Sequence, residues 1–214
     1  MPSTIPPSGY FYANKMARIY MLAIRDLLGE SAYADNLREI GLERYLDKLP
    51  PDNFDKQFDF SDFSMLTASL ERLQATSPQK PVLPFEAGRM CFKGGLKSFG
   101  GLAGFSQSSL GFQVFPLNIK LKLGLQATAI TFNTFSDQLT EVKALDDSYL
   151  YTIHRCPACW GQHTDKPACS MAAGLLAAGL NWITQREYRV TETACIAVGA
   201  EACTFVIDNM PLPE

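Results

Sequence analysis

The sequence predicts an α+β fold in which a helical N-terminal half is followed by an antiparallel sheet. Apolar residues recur at helical spacing in the first 80 residues, whereas those after residue 139 alternate with polar residues as strands do. The 214 residues, 47% of them hydrophobic and 19% charged, are enough for one large core. We expect a single domain over 1–214, with a helical front (1–80), an apolar Phe- and Gly-rich helical segment (81–138), and strands with one helix and a hairpin (139–214).

Three helices are expected in the front. The first has one apolar face at three- and four-residue spacing, formed by Met16, Ile19, Tyr20, Ala23 and Leu27. It should end at Gly29, and a second helix over 31–46 should end before Pro50 and Pro51. Ser61 is expected to cap a third helix, whose apolar face is formed by Phe63, Leu66, Leu70 and Leu73.

The middle segment is poor in charge and rich in aromatic residues. A proline-rich linker over 77–84 precedes it, and residues 81–138 hold eight of the fourteen Phe and eight of the fifteen Gly. We expect helices there, with breaks or close contacts at Gly94-Gly95 and Gly100-Gly101. The segment should be buried or should line an apolar cavity. It has no phosphate-binding loop, because Leu96 stands where that motif needs Gly before Lys97.

The last third predicts the sheet. Residues 140–146 and 149–155 alternate like two strands around a turn at 146–148. A small-residue helix over 167–184 follows, and residues 187–198 and 202–207 then form a second hairpin around Gly199.

Cysteines cluster in this region, where five of the six lie between Cys156 and Cys203. A hairpin around Gly199 places Cys195 opposite Cys203, with Cβ atoms about 4.5–5.5 Å apart. That spacing suits a shared Zn²⁺ or a cross-strand disulfide. Cys169 opens the preceding helix, where the helix dipole favours the thiolate.

Glu192 is the natural fourth donor, which predicts one structural zinc at Cys169, Glu192, Cys195 and Cys203. Three residues apart on a regular strand, Glu192 and Cys195 would face opposite sides of the sheet. This ligand set therefore requires a bulge or a strand end between them. The competing interpretation is that all five cysteines are reduced, buried, small apolar side chains.

The pair in Cys156-Pro-Ala-Cys159 is open to several interpretations. A single C-x-x-C is found in zinc knuckles, in redox pairs and within larger sites, and it also suits a tight turn. Haem attachment is excluded, because Trp160 stands where a His is needed. Nearby, Trp160 and His163 are candidate anchors for the polar group of a ligand, and the alternative for His163 is an ordinary exposed loop histidine.

Together these motifs resemble the vinyl-4-reductase domain family over about residues 140–208. The resemblance rests on the order and spacing of Cys156-Pro-Ala-Cys159-Trp-Gly, Pro167-Ala-Cys169, Val190-Thr-Glu192-Thr-Ala-Cys195 and Gly199-Ala-Glu-Ala-Cys203-Thr-Phe205. The family is similar to the effector-sensing domains of phenol- and xylene-responsive activators and to the lipid-pocket subunits of vesicle-tethering complexes.

The resemblance implies a ligand-binding domain of the vinyl-4-reductase and vesicle-tethering type. In the aromatic-sensing relatives a zinc is held at the positions of Cys169, Glu192, Cys195 and Cys203, and Cys156 and Cys159 lie outside that set. The resemblance also implies a homodimer through the N-terminal helices. The implied ligand is a hydrocarbon, an aromatic, an acyl chain or a tetrapyrrole.

Three functions follow as expectations. The first is a small-molecule binding protein with one structural zinc. The second is an accessory factor or reductase subunit in (bacterio)chlorophyll synthesis or photosystem assembly. The third is a protein-interaction subunit with a vestigial cavity. Catalysis is the weaker expectation, because a zinc with three Cys and one Glu has no open position for a catalytic water, and no nicotinamide or flavin fingerprint is present.

Charge and hydropathy limit the partners and the location. The net charge of −3 argues against a dedicated nucleic-acid binder, which would carry a basic excess. The N-terminus has no signal-peptide pattern and no apolar run has the length of a transmembrane helix. A cytoplasmic location is therefore expected, where thiols stay reduced.

Overall fold

A computed structural model describes residues 5–76, 82–99 and 115–213. Most of the predicted linker and the Gly100-Gly101 pair lie outside these described residues. The described helices are α1 (Asn14–Leu28), α2 (Glu30–Glu39), α3 (Arg44–Asp47), α4 (Phe60–Thr76), α5 (Leu83–Phe99), α6 (Leu117–Phe135) and α7 (Ser170–Thr184). The described strands are β1 (Phe11–Ala13), β2 (Lys56–Asp59), β3 (Thr140–Ala144), β4 (Ser148–Ile153), β5 (Val190–Ala194) and β6 (Cys203–Asp208).

The helical front is as predicted for α1, which ends at Gly29 with a φ of 80° that favours glycine. The predicted helix over 31–46 is instead two pieces, α2 and α3. The chain turns at Gly41, where φ is 73°, and the backbone N–H of Leu42 then bonds to the Leu37 carbonyl. A turn with positive φ at glycine ends the first piece.

The start of α4 differs from the prediction because β2 directly precedes it. Ser61 lies inside the helix, and the side chain of Asp59 takes the capping role by accepting the Ser61 backbone N–H at 2.7 Å. Asp59 also accepts the Ser8 hydroxyl at 2.8 Å. This carboxylate therefore ties the N-terminal segment to the start of α4.

The main sheet is antiparallel, with the strand order β3-β4-β6-β5. In β4 and β6 every second residue is buried, so one face of the sheet is covered by the core. The first hairpin lies where the sequence predicted it. In the second, a turn of 3₁₀ helix (Ile196–Val198) replaces the end of the predicted strand before Gly199, where φ is 93°.

Helix α5 runs unbroken through Gly94 and Gly95, so of the two predicted alternatives, a break or a close contact, the structure shows no break. A Cβ at Gly94 would lie 2.8 Å from the Ile19 side chain, which shows a close contact with α1 rather than a break. Helices α5 and α7 pack against each other, and buried side chains from all three segments of the chain form one core cluster. Within the described ranges, no helix is both long enough and apolar enough to span a membrane.

Candidate functional site

Five cysteines converge at one point beneath the sheet. Cys156 precedes the 3₁₀ turn after β4 and Cys159 is its last residue. Cys169 lies at the N-cap of α7, Cys195 follows β5, and Cys203 begins β6. All five side chains are buried and none is in a disulfide. The fold thus brings together thiols that lie in separate motifs of the sequence.

The sulfur atoms lie close enough to share a metal ion. The Cys169 Sγ lies 3.8 Å from that of Cys195 and 3.7 Å from that of Cys203. The Cys195 and Cys203 sulfurs are 3.9 Å apart. A tetrahedral ion with Zn–S bonds of about 2.3 Å places its sulfur ligands about 3.8 Å apart, so the three thiols already have the required spacing.

Glu192 joins this group through a bulge in β5, which the sequence analysis required between Glu192 and Cys195. The pairing of β5 with β6 shifts register between Glu192 and Ala194, so Glu192 and Cys195 reach the same side. One carboxylate oxygen accepts the backbone N–H of Cys169 at 3.0 Å. The other, Oε1, is buried and has no hydrogen-bond partner among the described residues. This oxygen can therefore coordinate a cation.

The electrostatics of the cluster suit a cation. Burial, together with the Cys195 thiol, raises the pKa of Glu192 to about 8. Hydrogen bonds with Cys156 and the other thiols, together with burial, raise the pKa of Cys169. Hydrogen bonds from Cys159, Cys169 and Cys203 lower the pKa of Cys195, so this thiol ionises most readily. The other packed acidic groups resist ionisation in the absence of a positive charge, and a bound metal ion would relieve that cost. The donor set fits zinc, with Cys169, Glu192, Cys195 and Cys203 within 4.8 Å of one another.

Cys156 and Cys159, which the resemblance placed outside the zinc set, lie in the same cluster. The Cys156 sulfur is 3.5 Å from that of Cys169, and the Cys159 sulfur is 3.4 Å from that of Cys203. They form a second group of four possible ligands with Cys169 and Cys203. Sequence spacing could not show this, because the contact depends on how the turn after β4 lies against α7 and β6.

An apolar cavity of about 200 Å³ lies next to the cluster, between α1, α5, α6 and α7, with β4 on one side. Phe92 and Phe132 of the Phe-rich segment line it, as the sequence predicted for that segment. Other apolar side chains on its wall are Met16, Ile19, Phe63, Leu96, Ile153, Met171, Leu175, Leu176 and Ile183. Cys156 belongs both to this wall and to the cysteine cluster.

Three tyrosines on the cavity wall differ in the hydrogen bonding of their hydroxyls. The Tyr12 hydroxyl donates to the Gln138 side chain at 2.8 Å, and that of Tyr20 shares a hydrogen bond with Thr67 at 3.0 Å. The Tyr151 hydroxyl is buried and has no partner among the described residues. Burial raises the pKa of Tyr151, so the hydroxyl keeps its proton and is available as a donor.

The predicted anchors Trp160 and His163 are elsewhere. Trp160 packs edge-on against Tyr10, with ring centroids 5.2 Å apart, and His163 is exposed. Neither side chain lines the cavity. The residue that sequence reasoning missed is Tyr151, which in the sequence is one of several aromatics on an alternating strand and carries no further signal.

Comparisons with known proteins agree with this architecture. An H-NOX protein from Shewanella oneidensis in the Fe(II)NO ligation state is 14% identical, with 89% of this chain and 97% of that chain covered and a TM-score of 0.51. An unliganded Fe(II) H-NOX protein from K. algicida is 12% identical, with coverages of 90% and 95% and a TM-score of 0.53.

A third similar structure belongs to the vesicle-tethering relatives named above. It is trafficking protein particle complex subunit 3 from Naegleria fowleri, covalently bound to palmitic acid. It is 12% identical, with 72% of this chain and 98% of that chain covered and a TM-score of 0.51. At these identities the likeness concerns the fold.

No curated protein matches the chain in sequence. The family comparison, in contrast, matches the segment that carries β4, the cysteine cluster, α7 and the second hairpin. Residues 150–209 of this chain match the vinyl-4-reductase domain, the family that the cysteine motifs resemble.

Proposed function

We propose that this chain binds one small apolar molecule, of the size of a single aromatic ring or a short hydrocarbon chain, in the cavity beside Tyr151. The observation that carries the proposal is an apolar cavity lined by Tyr151, whose buried hydroxyl has no partner in the described part of the chain. Ligand sites are mostly apolar, with a few polar groups that fix orientation. The small-molecule-binding folds found among the similar structures support the same class of function.

Cavity volume narrows the ligand class. An apolar cavity of about 150 Å³ in another protein accepts benzene, and the cavity here is about 200 Å³. A ring with one or two small substituents fills such a space. Among the ligands that the family resemblance implies, a single-ring aromatic or a short chain therefore fits the described cavity, and a tetrapyrrole does not.

We propose further that zinc at Cys169, Glu192, Cys195 and Cys203 is structural. The ion would join the start of α7 to the second hairpin, next to the Cys156 turn on the cavity wall. When bound, zinc supplies charge neutralisation for the buried thiolates and carboxylate. All the described cysteines are free, which supports a reducing, cytoplasmic environment for the chain.

The experiment compares p-cresol with toluene, which differ by one hydroxyl, using isothermal titration calorimetry. The Tyr151 hydroxyl can bond to the p-cresol oxygen but has nothing to bond in toluene. We expect p-cresol to bind about fivefold more tightly, since one net hydrogen bond contributes about 1 kcal/mol. In Tyr151→Phe the preference should disappear while toluene binding is retained.

Two results would contradict the proposal. Failure of both compounds to bind the folded protein would remove the cavity as a ligand site. An unchanged preference for p-cresol in Tyr151→Phe would remove Tyr151 as the anchor. Analytical ultracentrifugation of the same samples tests the predicted homodimer.

A further inference from the structure

The cysteine cluster contains two groups of four donors that share two members. One group is Cys156, Cys159, Cys169 and Cys203, and the other is Cys169, Glu192, Cys195 and Cys203. We infer that the cluster holds two divalent metal ions of the zinc type, bridged by the thiolates of Cys169 and Cys203. This inference rests on the single zinc site proposed above and adds a second ion at Cys156 and Cys159.

The distances around the second position match those around the first. Cys156 and Cys169 are 3.5 Å apart, Cys159 and Cys203 are 3.4 Å apart, and the shared sulfurs of Cys169 and Cys203 are 3.7 Å apart. The tetrahedral edge for zinc and sulfur is about 3.8 Å. The three measured sulfur–sulfur distances in each group are thus close to that edge, all four ligand atoms of each group lie within 4.8 Å of one another, and the Cys169–Cys203 edge belongs to both groups.

The number of donors also fits two ions. Two tetrahedral ions that share two sulfurs need six donors, and the cluster supplies five thiols and Glu192. With a single ion at either group, two buried donors would be left over. The left-over pair would be the buried thiols of Cys156 and Cys159, or the Cys195 thiol and the buried Oε1 of Glu192, beside a charged centre.

Charge does not oppose the second ion. One zinc bound by three thiolates and one carboxylate leaves the site with two negative charges while Cys156 and Cys159 keep their protons. A second zinc brings two positive charges and displaces those two protons, so the net charge stays the same. The second step breaks the S–H bonds of Cys156 and Cys159 and releases two protons to solvent. It forms four metal–sulfur bonds, two with these new thiolates and two with the bridging thiolates of Cys169 and Cys203.

An iron–sulfur cluster fits this geometry less well. Cysteines that bind different irons of such a cluster are separated by the cluster itself. Here neighbouring sulfurs are 3.4–3.9 Å apart, which leaves room for single ions between them and not for an inorganic cluster.

The test is the metal content of the full chain. The protein is loaded with Zn²⁺ under reducing conditions, freed of excess metal by gel filtration, and analysed by native mass spectrometry and inductively coupled plasma mass spectrometry. We expect two zinc ions per chain. The double variant Cys156→Ser/Cys159→Ser should hold one, and the control Cys91→Ser should hold two, because Cys91 lines the cavity outside the cluster.

A second measurement does not depend on the folding of a variant. In wild-type protein saturated with ¹¹³Cd²⁺, two cadmium resonances should appear. One should be further downfield because all four of its ligands are sulfur, and the two should split each other through the shared thiolates. One ion per wild-type chain and one cadmium resonance would overturn the bridged pair but keep the first site. A metal-free protein would overturn the proposed zinc site as well.

Discussion

At the scale of single residues, the proposed ligand site depends most on Tyr151. Its side chain is 1% exposed, and its hydroxyl has no partner among the described residues. An unsatisfied buried hydroxyl costs about 1–3 kcal/mol of folding free energy, so its presence in a folded protein needs a reason. A ligand in the neighbouring cavity that accepts this hydrogen bond would supply that reason.

Tyr151→Phe should therefore leave the stability of the ligand-free protein unchanged or raise it by up to about 1 kcal/mol, because no hydrogen bond is lost. The matched control is Tyr20→Phe, which removes the bond to Thr67 and should cost about 1 kcal/mol. Urea unfolding of the two variants measures the difference. Equal losses in both variants would show that the Tyr151 hydroxyl is bonded in solution.

Sequence reasoning grouped the four proposed zinc donors but did not find the proposed anchor, for a physical reason. The positions of Cys169, Glu192, Cys195 and Cys203 follow from local structure: a helix start and one hairpin with a bulge. Tyr151 differs from the other two tyrosines of the cavity wall only because its hydroxyl has no hydrogen-bond partner among the described residues. That difference depends on helices distant in the chain. The contact of Cys156 with the other cysteines could not be predicted for the same reason, since it depends on how distant elements pack.

At the scale of elements, the packing of α5 on α7 determines the shape of the cavity. A Cβ at Gly88 would lie 2.0 Å from the Met171 carbonyl oxygen, and a Cβ at Gly174 would lie 1.9 Å from that of Phe85. Glycine at both positions lets the two backbones touch, so the helices are close at this crossing. Elsewhere along the pair, the side chains of Phe92, Leu96 and Leu175 border the cavity.

Gly174→Ala should destabilise the protein by about 1–3 kcal/mol or more, because the added methyl group overlaps backbone atoms that cannot move alone. Gly95→Ala in α5 is the control, since its Cβ meets nothing within 4 Å. That change should be neutral or stabilising by up to about 1 kcal/mol through helix propensity. Thermal unfolding of both variants measures the change in stability. An unchanged stability of Gly174→Ala would contradict the backbone contact.

The elements predicted from sequence were those with a strong local pattern. Helix α1 and the β3–β4 hairpin follow from periodicity alone. Strands β1 and β2 have only three and four residues, too few to show alternation, and with β2 missed, Ser61 was assigned the cap that Asp59 provides. Gly94 and Gly95 suggested either a break or a close contact, and the sequence does not reveal that the close neighbour of Gly94 is Ile19 of α1.

At the scale of the whole molecule, the cysteine cluster connects segments that are distant in sequence. It joins the turn after β4, the start of α7 and both strands of the second hairpin, and the α4 helix packs on the same turn. Metal bound at the two proposed positions would constrain all these segments at once. Its loss should therefore affect the stability of the whole fold.

Removal of metal with a strong chelator should lower the free energy of unfolding by several kcal/mol, since binding of a structural metal is coupled to folding. Cys203→Ser should have a similar effect without chelator, because Cys203 belongs to both donor groups. Cys91→Ser should lose stability when the chelator is added, as the wild type does. Melting followed by circular dichroism, with and without chelator, checks this; a wild-type transition that ignores the chelator would contradict it.

The central claim, that the cavity beside Tyr151 holds one small apolar molecule, is tested most directly by calorimetric titration of toluene into the wild type, Gly95→Leu and Gly95→Ala. Gly95 lines the cavity and has open space at its Cβ, so leucine there should fill the cavity without displacing the backbone. The account predicts one toluene per chain for the wild type and Gly95→Ala, and none for Gly95→Leu. Toluene binding that is absent from the wild type, or that is equal in all three proteins, would contradict it.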